Sequence, residues 1–136
     1  MFKSNTKKVI EKRLISALKK TMKDAPKVLG IEGQFAILDN FKTQSYEGKK
    51  WKYVKSKKKK GPILVGRTRR LIGAARRSFK GANNGRIKWS IDGVVYAAIH
   101  NNGEGKMPKR QFIGKSQKFI NRLKKKFDQM LKYNLR

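Results

Sequence analysis

Apolar residues recur along the first part of the chain at helical spacing. Ile10, Leu14, Ala17, Leu18 and Met22 fall three and four positions apart, one face of an α-helix. Ser4, Asn5 and Thr6 ahead of them offer N-cap side chains, and Lys12, Arg13, Lys19, Lys20 and Lys23 fall largely on the other faces. Pro26 has no N–H to give a helix interior, so it is expected to end this helix or to open the next at its first turn. Val28, Ile31, Phe35, Leu38 and Phe41 carry a second helical period. Gly30 and Gly33 weaken its early turns, because glycine is a poor helix former.

Downstream the period changes. Pro62 to Val65 is a short apolar run, and Gly66 to Ala75 has room for a short helix carrying Arg67, Arg69 and Arg70 around Leu71. Ile87, Trp89 and Ile91 alternate with Lys88 and Ser90, as in a half-buried strand. Asn83-Asn84-Gly85 before them is a hairpin turn signal, with the partner strand expected at roughly Ala74 to Phe79. Asp92-Gly93 is a second turn, leading into Val94 to Ile99, which reads as a further strand. Asn101 to Lys106 is a Gly- and Asn-rich loop, and Pro108 to Gly114 is extended. The final segment is the clearest helix: Phe119, Leu123, Phe127 and Met130 repeat at turn spacing behind Ser116, a plausible N-cap, with Lys124, Lys125, Lys126 and Lys132 in the later turns. The order predicts one α+β domain over residues 1–136. It has N-terminal helices, a small antiparallel β-sheet, and a long C-terminal helix packing Leu123 and Phe127 on the sheet face that bears Trp89.

Charge then dominates. Lys and Arg number 37 and Asp and Glu 8, a formal net charge of +29. A free monomer at that charge repels itself and favours a polyanion or an acidic protein face. Lysine outnumbers arginine, which favours diffuse phosphate attraction over base readout. The basic residues concentrate in an extended loop at about 44–61, where Lys49, Lys50, Lys52, Lys55, Lys57, Lys58, Lys59 and Lys60 surround Trp51 and Tyr53. This run reads either as a solvated loop or as an arm that orders on phosphate or an acidic partner. Trp51 and Tyr53 either stack on bases or, the reading we favour, anchor the loop to its own domain. Phe35, Phe41, Trp89, Phe119 and Phe127 sit at core periods. No apolar run approaches the length of a membrane span, and Met1 to Ser4 lead into a charged amphipathic stretch without the apolar core of a leader.

The inventory for catalysis is thin. There is no Cys and one histidine, His100, beside an apolar segment, where a structural role or a pH-sensitive contact are the two readings. The acidic residues are scattered, no metal-ligand cluster is apparent, and no phosphate-binding glycine motif occurs. Neither an enzyme nor a metal or cofactor site is expected.

Several segments, taken together and in order, resemble the virion-morphogenesis family of tailed bacteriophages, the tail-completion or head–tail joining proteins. The resemblance rests on Tyr96-Ala97-Ala98-Ile99-His100-Asn101-Asn102-Gly103, then Met107-Pro108-Lys109-Arg110-Gln111-Phe112-Ile113-Gly114 and a C-terminal helix. Upstream, Phe41, Gly48 and Trp51 resemble the family's helix end and Gly-x-x-Trp turn, and Ile63 to Val65 with Arg67 to Leu71 resemble its Leu-x-x-Thr-Gly-Arg-Leu segment. Gln111 stands where the family has a second proline.

The resemblance implies a non-enzymatic virion subunit of the neck or tail, assembled in the host cytoplasm. Copies of it would form a ring around the DNA channel, joining portal or adaptor to tail, with no membrane partner. Tyr96, His100, Pro108, Arg110 and Phe112 would form the subunit interface, although Phe112 serves equally to close the domain's own core. The lysine run with Arg67, Arg69 and Arg70 would face packaged DNA or an acidic partner. The competing reading is a basic nucleic-acid-binding protein of ribosomal or nucleoid type, which accounts for the charge but not for the paired segments.

Overall fold

The computed structural model describes residues 2–52, residue 64 and residues 69–136. Its first element is one long helix, α1 (Phe2–Thr43), which runs through Pro26 without interruption. The two helices expected on either side of Pro26 are therefore one. The local cost of an interior proline is met by packing on both sides of it. Downstream, Glu32 and Asp39 of α1 bind Arg122, at 2.8 and 2.7 Å. Upstream, Thr21 accepts a hydrogen bond from Asn134 at 2.9 Å. Both Arg122 and Asn134 belong to the C-terminal helix, α4 (Gln117–Asn134), which thus lies antiparallel along α1.

After α1 the chain turns through a small ribbon, β1 (Ser45–Tyr46) and β2 (Lys49–Lys50), around Glu47 and Gly48, both at positive φ. The start of the expected basic loop is thus a tight hairpin, closed by the Trp51 N–H donating to the Gln44 carbonyl at 2.8 Å. A short helix, α2 (Arg70–Ala75), follows within the predicted Gly66 to Ala75 segment. The second ribbon pairs β3 (Phe79–Asn83) with β4 (Arg86–Trp89) antiparallel, with Phe79 opposite Trp89 and an irregularity between Phe79 and Gly81. Asn84 and Gly85 make its turn at φ 51° and 75°, the geometry the Asn-Gly signal predicts. The partner strand lies a few residues later than expected, because Ala74 and Ala75 belong to α2.

Val94 to Ile99 is not a strand. It leads into a helix, α3 (Ala97–Asn102), ended by Gly103 in the left-handed conformation with its N–H on the Ile99 carbonyl. Gly103 meets two demands at once. Its φ is 69°, and a Cβ there would lie 2.7 to 2.9 Å from Lys109. The fold is α+β, with four helices and two small antiparallel ribbons among the described residues.

The hairpin seats on α1 through two glycines. A Cβ at Gly30 would overlap the Phe79 ring, and one at Gly33 would lie 2.5 Å from the Trp89 indole. Trp89 Nε1 donates to the Gly30 carbonyl at 2.8 Å, and the Phe79 N–H donates to Gln34 Oε1 at 3.0 Å. α4 begins on the Ser116 hydroxyl, which accepts from the Phe119 N–H at 3.0 Å. It meets the hairpin through Phe119, edge-on to Trp89 at 5.1 Å. Leu123 and Phe127, expected on Trp89, are only half-buried. Phe35, also expected in the core, is half exposed. The core gathers at the C-terminal end of α1, where Ile37, Phe41, Trp51, Leu71, Ala75, Ala97 and Phe112 are buried together.

Candidate functional site

The two segments that carry the family resemblance, Tyr96 to Gly103 and Pro108 to Gly114, fold against each other. The Arg110 N–H donates to the His100 carbonyl at 2.8 Å. Asn101 Oδ1 accepts from two consecutive N–H groups, those of Phe112 at 3.0 Å and Ile113 at 3.1 Å. An extended segment has no helix or ladder to satisfy its backbone, so one asparagine at the end of α3 substitutes for a neighbouring strand.

The upstream motifs reach the same place. Asn40 on α1 donates to the Phe112 carbonyl at 2.9 Å, and Trp51 Nε1 donates to the Gln111 carbonyl at 2.9 Å. Phe41 lies between two rings, 5.6 Å from Trp51 and edge-on, and 5.0 Å from Phe112 and tilted. Trp51 is thus an anchor of its own domain, as the favoured reading held. Its neighbour Tyr53 lies outside the described residues.

The five residues named for a subunit interface are not equally available. Phe112 is 1% exposed and closes the chain's own core. Arg110 is 6% exposed, and its Nε donates to the Lys52 carbonyl at 3.0 Å. Burial draws its guanidinium pKa down. The sequence leads one to expect Arg110 presented at the surface, on the argument that a guanidinium is rarely needed inside a small core. Here it is needed, to hold the backbone after Trp51 against the extended segment. His100 and Pro108 are half-buried, and the His100 ring meets Tyr96 edge-on at 5.8 Å. Tyr96 is exposed, beside Val95, which is almost wholly in solvent.

Of the residues assigned to DNA or an acidic partner, Lys49, Lys50 and Lys52 are exposed on and just after β2, and Arg69 and Arg70 are exposed at the start of α2. Lys55, Lys57, Lys58, Lys59, Lys60 and Arg67 lie outside the described residues.

Sequence reasoning missed Asn40, Asn101 and Gln34. Each is polar and bonds main-chain groups of another segment, 72 residues away for Asn40, 45 for Gln34 and 11 for Asn101, so no local pattern marks it. Burial raises the Tyr46 phenol pKa, opposed by its hydrogen bond with Ser116. Tyr46 helps to line a cleft of about 210 Å³ between α1 and α4, with Asn40, Lys118 and Arg122 on its walls. Among the described residues no group of three or more His, Asp or Glu is placed to hold a metal ion, and no helix is long and apolar enough to cross a membrane. The chain matches no protein-family model, no curated protein sequence and no solved structure.

Proposed function

We propose that this chain is a structural, non-enzymatic subunit of the head–tail junction of a tailed bacteriophage. It would be a neck or tail-completion protein whose copies form a ring around the DNA channel, between portal or adaptor and tail, assembled in the host cytoplasm and retained in the virion. The observation that supports this most is the convergence of the motifs. Phe41, Trp51, Asn101, Arg110 and Phe112 come from four separate stretches of sequence, yet they meet in one hydrogen-bonded aromatic knot. The knot rigidly presents the loop bearing Val95 and Tyr96, which suits a repeated contact between copies. The charge suits the channel, since lysines attract passing phosphate without gripping bases.

Native mass spectrometry of the purified chain tests the reading, together with electron microscopy of particles made with Tyr96→Ala. A ring of copies, and heads left unjoined to tails by the variant, are the expected results. A monomer that binds RNA tightly overturns the reading in favour of the nucleic-acid module. Arg110 is unsuitable for this purpose, because removing a buried guanidinium alters the fold itself.

A further inference from the structure

One feature of the molecule plays no part in the knot. α4 covers α1 only as far as Thr21 and Ala17, which are buried. From residue 5 to residue 16 every position of the helix is exposed, an arm about 18 Å long at 1.5 Å per residue. Val9 and Ile15 are exposed singly, at 56% and 52%, but the other large apolar residues are ordered. Ile10, Leu14, Leu18 and Met22 follow one another at four-residue steps and form a ridge. Ile10 is 60% exposed and Met22 61%. An amphipathic helix buries such a ridge against something, and nothing in the described chain covers this one.

Charge selects the occupant. Residues 5–24 carry seven basic and two acidic side chains, a net +5. A second copy of the arm would bring +5 against +5, with Glu11 and Asp24 as the only counter-charges on each side. An anionic bilayer would accept the charge. Helices that lie in membrane interfaces set Trp, Phe and Leu on the apolar face, and residues 5–24 supply two leucines, Leu14 and Leu18, but no aromatic side chain. A basic helix with an apolar ridge reads as a membrane-surface or a helix-in-groove element, and the absence of an aromatic anchor favours the groove of a protein. The basic edge continues onto the body, where Lys20, Lys23, Lys27 and Lys126 line a shallow groove together with Asp24 and the apolar Met130.

We propose that the projecting turns of α1 are a docking helix for an acidic protein partner, which receives the ridge Ile10–Leu14–Leu18–Met22 in an apolar groove rimmed by carboxylates. This goes beyond the ring reading, because a ring contact joins copies of this chain and the arm rejects its own copy. It does not depend on that reading.

The test uses the full chain and three probes. Ca²⁺-loaded calmodulin supplies an acidic, apolar-lined groove, poly-glutamate supplies acid without a groove, and phosphatidylserine–phosphatidylcholine vesicles supply an anionic membrane. The variant is Ile10→Gln with Leu14→Gln, which keeps helix propensity and removes half the ridge. The expected result is binding to calmodulin with a dissociation constant of about 1 μM or tighter, weakened at least about tenfold in the variant. Poly-glutamate binding should be weaker and equal in both proteins. Any of four results overturns the proposal: no binding to calmodulin, equal affinity for calmodulin and poly-glutamate, tighter binding to vesicles, or a dimer that the variant abolishes.

Discussion

Replacing Gly33 by alanine sets two effects of known size against each other. In an exposed helix interior the change stabilises by about 1 kcal/mol, because alanine is the better helix former. At Gly33 the new methyl would lie 2.5 Å from Cε2 and Cζ2 of Trp89. Carbon atoms in contact prefer about 3.5–4.0 Å, so roughly 1 Å of overlap must be relieved. The indole cannot simply slide, being held by its Nε1–H on the Gly30 carbonyl at 2.8 Å and by the Phe119 edge at 5.1 Å. Overpacking costs about 1–3 kcal/mol, and losing the indole hydrogen bond adds about 1 kcal/mol. After the propensity gain the variant should be about 1–3 kcal/mol less stable. Urea unfolding followed by far-UV circular dichroism should then show the midpoint falling by about 1 M, at a slope of about 2 kcal/mol per M. Two controls sharpen the test. Gly73→Ala, whose Cβ would meet only Arg77 at 3.8 Å, should be neutral or stabilising by up to about 1 kcal/mol. With Trp89→Leu in the background, the Gly33→Ala penalty should fall below about 0.5 kcal/mol. A Gly33→Ala protein as stable as the parent, or a penalty that survives loss of the indole, refutes the seat.

Asn101→Ala strips the acceptor from the Phe112 and Ile113 N–H groups and should cost about 2–4 kcal/mol in urea unfolding; a loss below about 0.5 kcal/mol would show that the segment holds itself. Asp92 is held below the ordinary aspartate range by the Ser90 hydroxyl and by Lys80 at 3.2 Å. A carboxylate whose pKa is depressed on folding contributes at neutral pH and loses that contribution as pH falls through the folded value. An NMR titration of the Asp92 carboxyl should therefore show a midpoint below about 3.9, moving up towards that value in Lys80→Ala, and an unshifted midpoint would refute the contribution of Ser90 and Lys80.

The sequence was most legible where a local rule acts alone. Asn84-Gly85 marked its own turn, and Ser116 marked the start of α4. It was misleading where a distant partner overrules a local preference. Pro26 reads as a boundary, yet α4 bridges it. Val94 to Ile99 reads as a strand by its β-branched residues, but the Ala97-Ala98 pair and Gly103 make a short helix. Gly30 and Gly33 read as weak points of a helix whose apolar face is Val28, Ile31 and Phe35. Phe41 and Leu38 of the same predicted period do pack in the core, but towards the hairpin the packing face is Gly30 and Gly33, because two ring systems need the space that missing side chains leave. Phe35 is left half exposed for the same reason. In the candidate site Trp51 was legible as an anchor, whereas Phe112 read equally as an interface contact and as a core residue, and is buried in the core. Asn101 was not legible, and Arg110 was assigned to the wrong side of the surface because its partner is a main-chain carbonyl.

The proline in α1 leaves the Met22 carbonyl without an intrahelical donor, a weak joint in an otherwise continuous rod. α4 is bonded to the rod on either side of that joint, through Arg122 below and Asn134 above, and so acts as a splint. The leverage is large. Asn5 lies about 32 Å from Pro26 along the helix axis, so a bend of about 10° at the joint would swing it by about 5 Å. The direction in which the basic arm points therefore depends on how the C-terminal helix is seated beyond the joint, where Asn134 bonds Thr21 and where Ala17, Thr21 and Ala25 are buried. Whatever loosens that seat redirects the arm without touching any residue on it.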